Sequence, residues 1–334
     1  MLLKTLATGL DEAFLAWSVR PALPRLSVLR GLRSLAVAEQ RTQREIADAV
    51  LFDAAQANEH VQATHLPGGG DEQEQQITSQ LSLPAIARQW GFSGGPNELT
   101  TTVRRGGSDP RPLVILLSGW SPTLRTRAGL IWPLRQLDSA GFDVAIPALP
   151  WTRRVDGQTA VFPGNDPCAN IVMTASIVSG LAQLVRYARS HQHPAIVVCA
   201  TSLGAHLAAL LATLPAAELV DGFILDKPLG QLSDLIRWHA RGDSVWCHHV
   251  ADRLQRVYRS VCPLDRRPKV APERVTVIGA EFDRVTPMSA AQQVADHFQV
   301  ELRPIKASHL FDPGRSSRLL QVLTEQRVRS ASCE

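Results

Sequence analysis

The chain has 334 residues, 45% hydrophobic and 20% charged, with a net charge of +4 at pH 7. That balance excludes disorder over the whole length and fits either about two domains or one large α/β fold with a sizeable core. Arginine and lysine are scattered among aspartate and glutamate rather than gathered in a stripe with interleaved aromatics, which argues against nucleic-acid binding.

The start, MLLKTLATGLDEAFLAW, does not read as a signal peptide, because Asp11 and Glu12 interrupt its apolar stretch. No apolar run is expected to reach the length that spans a bilayer. Residues 1–63 read as helical, broken by Pro21 and Pro24. Around Arg20, Arg25, Arg30 and Arg33 the cations alternate with Leu, Val and Ala, as in an amphipathic helix. Such a helix packs on the protein's own core or lies as a cationic helix on a membrane surface. PGGGDEQEQQ, residues 67–76, reads as a surface linker, so residues 1–76 are expected to form a helical N-terminal extension.

From residue 77 the rhythm changes. ITSQLSL and LTTTVRR are candidate strands of an antiparallel edge, with glycine-rich breaks at 94–96 between them and at 106–108 after the second. Short apolar runs then alternate with helical patterns: 113–119, 142–149, 195–200, 222–226, 274–280 and 299–305. Strands without polar alternation are buried on both faces, so the expected fold class is α/β, with a mostly parallel central sheet and helices on both faces over residues 77–330. One helix is expected to end near Ser139 before Gly141, another to start after Asp166 and Pro167, and a third to open at Leu203. Residues 227–273, with Leu232, Leu235, Ile236, Val250, Leu254 and Val257 at turn-like spacings, form either a helical cap or ordinary sheet-covering helix.

The five cysteines, Cys168, Cys199, Cys247, Cys262 and Cys333, form no C-x-x-C pair. Neither a zinc site nor a disulfide framework is indicated, and reduced thiols in a cytoplasmic compartment are expected. His191 and His193, like His248 and His249, lack partners at metal-ligand spacing and read as solvated surface, with no metal site. His206 reads as a packed helix residue.

In doubly wound sheets, reactive groups gather beyond the carboxyl ends of the strands. Three polar residues stand there in chain order: Ser202 in Ala200-Thr201-Ser202-Leu203-Gly204, Asp283 in GAEFDRVTP and His309 in KASHLFDP. Each has a structural alternative. Ser202 could cap a helix, Asp283 could cap the helix near Pro287, and His309 could be an idle loop histidine. Asp226, at a neighbouring strand end, is a rival acid. Trp151, Arg153 and Arg154, after the second central strand, form either a surface loop or a rim for an acidic or acyl-bearing substrate.

With these residues in place, residues 77–330 resemble the α/β-hydrolase superfamily, whose elbow reads G-x-S-x-G and whose triad runs Ser, acid, His. Here Ala200 stands at the first glycine and Gly204 keeps the second small position. The resemblance implies a serine hydrolase acting on an ester or thioester through an acyl-enzyme, with no cofactor. Ser202 would be the nucleophile, His309 the base and Asp283 the group orienting it. The backbone N–H groups of Leu203 and Trp120 would form the oxyanion hole, with Ser118-Gly119 where relatives carry His-Gly. The substrate would be a small-molecule or lipid ester, with the N-terminal helices a candidate peripheral membrane contact. A catalytically silent fold used for binding or as a scaffold is the alternative.

Overall fold

The computed structural model describes residues 2–15, 29–42, 51–52, 61–65, 73–81, 85–90, 98–107, 109–120, 131–150, 162–164, 166–239 and 244–331. In chain order the elements are α1 (Leu2–Phe14), α2 (Leu29–Thr42), β1 (Val61–His65), β2 (Gln73–Gln80), α3 (Ala85–Gln89), β3 (Glu98–Arg105) and β4 (Leu113–Leu117). Then follow α4 (Leu134–Ser139), β5 (Asp143–Ala148), α5 (Pro167–Ser190), β6 (Ile196–Thr201), α6 (Leu203–Leu211) and β7 (Gly222–Asp226). The chain continues through α7 (Asp234–His239), α8 (Ser244–Tyr258), β8 (Val275–Ala280), α9 (Met288–Phe298), β9 (Leu302–Ile305) and α10 (Arg315–Ala331).

The described strands form one sheet in the order β1-β2-β3-β5-β4-β6-β7-β8-β9. β1, β2 and β3 run antiparallel, as does the β3–β5 pair, and every pairing from β5 through β4 to β9 is parallel. The central parallel strands β4, β6, β7 and β8 are buried along their whole length because both of their faces are covered. Along β4, Val114 and Leu116 join Leu137 of α4 and Leu319, Val322 and Leu323 of α10 on one face. Ile115 and Leu117 join the larger cluster containing α5 and α6 on the other. β5 and β6 flank β4 on opposite sides, so the chain reverses its winding there. The crevice above β4 and β6 is where such folds bind ligands.

Local signals set the helix ends. Pro167 occupies the first turn of α5, and the Asp166 carboxylate accepts from the N–H groups of Cys168 at 2.9 Å and Ala169 at 3.3 Å. Every residue of α6 is buried, not only its leucine face, because the helix lies beneath α5 as well as against the sheet. α5 has the length and composition of a membrane span, contrary to the expectation that no run reaches that length. Its most apolar stretch is 94% buried within the protein. Its apolarity is thus satisfied by β2, β3, α6 and α8.

The expected division at residue 76 falls inside β2. Residues 61–65 are a strand rather than helix, and Leu35, Ala38, Leu51 and Phe52 share the main core. Glu39 of α2 accepts from Arg253 Nε of α8 at 2.8 Å. The N-terminal region is therefore built into the domain. Arg20 and Arg25 lie outside the described residues. Within the 227–273 segment, α8 packs on the helices α2, α5 and α7, and α7 reaches the sheet's carboxyl edge, where His239 Nε2 lies 2.8 Å from the Val285 carbonyl.

Candidate active site

Ser202 stands between β6 and α6, with φ 56° and ψ −122°, a region that side-chain-bearing residues avoid. Holding it there costs on the order of 1–3 kcal/mol. The Ser202 N–H donates to the Asp226 carbonyl at 3.0 Å, which fixes the bend. Although Ser202 occupies the N-cap position, its side chain makes no capping hydrogen bond. Its Oγ lies 2.9 Å from His309 Nε2 instead. The helix-cap alternative is thereby removed.

The neighbouring loops come close enough to require glycine. A Cβ on Gly204 would stand 2.5 Å from the Leu117 carbonyl oxygen, so α6 can approach β4 only without a side chain there. A Cβ on Gly119 would stand 2.9 Å from Ser202 Cβ, which places the loop after β4 directly against the serine. In that loop, Ser118 Oγ accepts from Trp132 Nε1 at 3.1 Å. The bend forms with Ala200 at the first small position, buried in β6.

His309 Nδ1 lies 2.8 Å from Asp283 Oδ2. The other carboxylate oxygen, Oδ1, accepts from the N–H groups of Val285 at 2.7 Å and Thr286 at 2.8 Å, and Thr286 Oγ1 donates to Oδ2 at 3.0 Å. Asp283 thus folds its own turn and holds the imidazole with the same group, and both side chains are buried. Thr286, which no sequence pattern singled out, also lies 3.2 Å from His309 Nδ1.

Asp226 takes no part in this line. Its Oδ2 accepts from Thr201 Oγ1 at 3.2 Å and pairs with Lys227 at 3.3 Å and Arg315 at 3.2 Å. Burial alone would raise its carboxyl, but Lys227, Arg315 and Arg318 outweigh burial and hold it below the usual carboxylate range.

Leu203 is the first residue of α6, so its N–H has no helical carbonyl four residues back. Trp120 is half-buried against Leu15 and Val285. Trp151, Arg153 and Arg154 lie outside the described residues.

The remaining histidines separate by burial. His191, His248 and His249 are exposed as expected, but His193 is buried, with Nδ1 2.7 Å from the Arg111 carbonyl. A loop histidine reads as solvated until the fold shows a carbonyl waiting beneath it. His206, one turn beyond Ser202, is buried with Nδ1 2.9 Å from the Leu229 carbonyl, and burial pushes its pKa down to about 4. Between that value and the ordinary 6.5 the unfolded chain binds the proton and the folded chain does not. This site therefore contributes stability above pH 6.5 that is lost as pH falls toward 4. Chemical denaturation at pH 7 and pH 4.5 should show the native chain losing about 2–3 kcal/mol more than the His206→Gln variant. Equal losses in the two proteins would remove this assignment.

No protein-family model matches the chain. The uncharacterized protein Rv2627c of Mycobacterium tuberculosis (strain ATCC 25618 / H37Rv) is 26% identical over 236 residues, a match covering 66% of this chain and 54% of that protein. An uncharacterized protein of the CDC 1551 / Oshkosh strain matches to the same extent, so the chain spans about half the length of these curated relatives. Among solved structures, the acetyl xylan esterase from Paenibacillus sp. R4 is similar at a TM-score of 0.57 and 12% identity, over 94% of this chain and 98% of that one. Acetyl xylan esterase 1 from Thermoanaerobacterium sp. JW/SL YS485 gives a TM-score of 0.54 at 11% identity with the same coverage. Est1E from Butyrivibrio proteoclasticus, solved with ferulic acid, gives 0.52 at 12% identity over 70% of this chain and 96% of that one. At these identities the likeness is one of fold. With the parallel sheet and the bend at Ser202 already in place, it establishes that the chain has the α/β-hydrolase fold.

Proposed function

We propose that this chain is a serine hydrolase that cleaves a carboxylic ester or thioester through an acyl-enzyme. One observation carries the reading: a strained serine 2.9 Å from an imidazole nitrogen whose other nitrogen lies 2.8 Å from a buried carboxylate. A serine hydroxyl is a poor nucleophile at neutral pH and needs this kind of neighbour.

In the cycle, Ser202 Oγ bonds to the carbonyl carbon while its proton passes to His309 Nε2 and the C=O π pair moves onto oxygen. Asp283 accepts from Nδ1–H and stabilises the imidazolium without taking its proton. The oxyanion is received by the N–H groups of Leu203, at the positive end of α6, and Trp120, each worth about 3–4 kcal/mol of transition-state stabilisation. Collapse re-forms the C=O and breaks the bond to the alcohol or thiol, which leaves with the proton from His309. Water, deprotonated by His309, then attacks the acyl group. The acid departs and Ser202 recovers its proton.

The substrate is a small-molecule ester with an apolar portion. The names of the similar structures, acetyl xylan esterases and an esterase holding ferulic acid, point to small acyl groups. Leu310, next to His309, is exposed, which puts an apolar side chain beside the base. The test is a fluorescent fluorophosphonate together with p-nitrophenyl esters of increasing chain length. Covalent labelling at Ser202 and turnover of at least one ester are expected. A folded chain that takes no label and turns over none of the series would overturn the reading.

A further inference from the structure

Asp11 is an aspartate in a helix, yet it is fully buried, and its partners lie at the far end of the sequence. Oδ1 accepts from Ser308 Oγ at 2.9 Å and the Leu310 N–H at 3.1 Å. Oδ2 accepts from the His309 N–H at 2.9 Å and the Arg284 N–H at 3.0 Å. An ionised carboxylate offers about four acceptor sites, and here all are filled. Four donors are what a buried charge needs if it is not to be expelled or neutralised.

Those donors come from two loops, and the two loops hold the two members of the acid–base pair. Arg284 follows Asp283, and the His309 N–H belongs to the base itself. The loops touch each other directly through the Phe282 N–H to the Ala307 carbonyl at 3.0 Å, and beyond that point Asp11 spans them. Ala7, Asp11 and Leu15 recur every four residues and are all buried, forming an inner stripe along α1 and the residue just after it. Leu15 packs with Val285 of the acid loop and Trp120 of the loop over the serine. The buried Lys227 also holds the His309 loop, donating to the Ser308 carbonyl at 3.5 Å and to Asp312 at 3.3 Å.

We propose that Asp11 is a positioning residue that sets the Asp283–His309 alignment, which makes α1 a working part of the catalytic site. This inference rests on the hydrolase reading above. A carboxylate serving only stability could bond anywhere on these loops. This one bonds to the backbone of the base and of the residue after the acid, so its loss shifts the imidazole relative to both Asp283 and Ser202.

The experiment uses Asp11→Asn in the full chain. In asparagine an NH₂ group faces two N–H donors where Oδ2 stood, or the N–H and hydroxyl donors at Oδ1. Reactivity is read as kcat and KM on p-nitrophenyl acetate and as the rate of fluorophosphonate labelling. Folding is read by thermal melting, and the imidazole by the proton NMR signal of His309 Nδ1–H. A displacement near 1 Å predicts kcat and labelling rate lower by about 10- to 100-fold, with KM within about twofold and the Nδ1–H signal shifted or lost. Ser308→Ala removes one donor and leaves three, so a smaller fall of about threefold is expected, and it serves if Asp11→Asn fails to fold. A folded Asp11→Asn protein with native kcat and an unmoved Nδ1–H signal would overturn the proposal, as would native kcat in Ser308→Ala should Asp11→Asn fail to fold. If the native chain neither hydrolyses esters nor takes the label, the hydrolase reading fails by itself. The Nδ1–H comparison then still decides whether Asp11 sets the histidine.

Discussion

Ser202→Ala should lower ester hydrolysis by about 10⁴- to 10⁶-fold and abolish fluorophosphonate labelling while leaving thermal stability close to native. Both halves of the expectation come from the same geometry. The serine side chain makes no helix-cap bond, so its loss does not carry the 0.5–2 kcal/mol that removing a serine cap typically costs. Alanine keeps a Cβ at φ 56°, so the backbone strain also stays as it was. What disappears is the Oγ 2.9 Å from His309, the only atom of that residue that can form the acyl bond. Any residual rate comes from binding and the oxyanion donors, which remain. The measurement is turnover of p-nitrophenyl acetate, label incorporation by mass spectrometry and a thermal melt of each protein. Substantial turnover by the alanine variant would show that another group attacks the ester.

The strands that carry the site were legible because burial on both faces writes itself into composition: LVILL, IVVCAT and VTVIGA admit little but apolar residues. Ser202 and Asp283 could be read for a related reason, since each stands in the first loop residues after such a strand, while His309 follows the more exposed β9. β2 was legible only in its second half: ITSQ reads as strand, whereas QEQQ reads as linker. Residues 75–79 alternate buried and half-buried positions, but the buried set includes Gln75 and Ser79, and a polar strand of that kind looks like a linker. Its place between β1 and β3 is decided by backbone pairing, which side-chain identity does not reveal. His193 and Asp11 were hidden differently. Each polar atom finds its partner in a segment far away in sequence, and no local spacing encodes a carbonyl of residue 111 or the amide of residue 309. In a sequence read without its fold, Asp11 serves only to interrupt a hydrophobic stretch.

Asp283→Asn and Asp226→Asn should give opposite signatures, and together they decide which carboxylate works in the reaction. In Asp283→Asn, the amide oxygen can keep the Val285 and Thr286 N–H bonds at the Oδ1 position, which leaves the NH₂ facing His309. His309 Nδ1 must then accept, its proton moves to Nε2, and the nitrogen beside Ser202 can no longer take the serine proton. A fall of about 10⁴-fold in kcat follows, with little loss of stability. Asp226 stands among cations instead. Lys227 is fully buried and relies on Asp226 and Asp312, both 3.3 Å away. Asparagine at 226 leaves Lys227 half-compensated and Arg315 without one of its partners, a change that costs about 3 kcal/mol of folding stability. Because Asp226 does not touch His309, kcat per folded molecule should stay within a few-fold of native. Urea unfolding and steady-state kinetics on both variants separate the two effects. Retained activity in Asp283→Asn with lost activity in a folded Asp226→Asn would transfer the orienting role to the strand end beside Lys227.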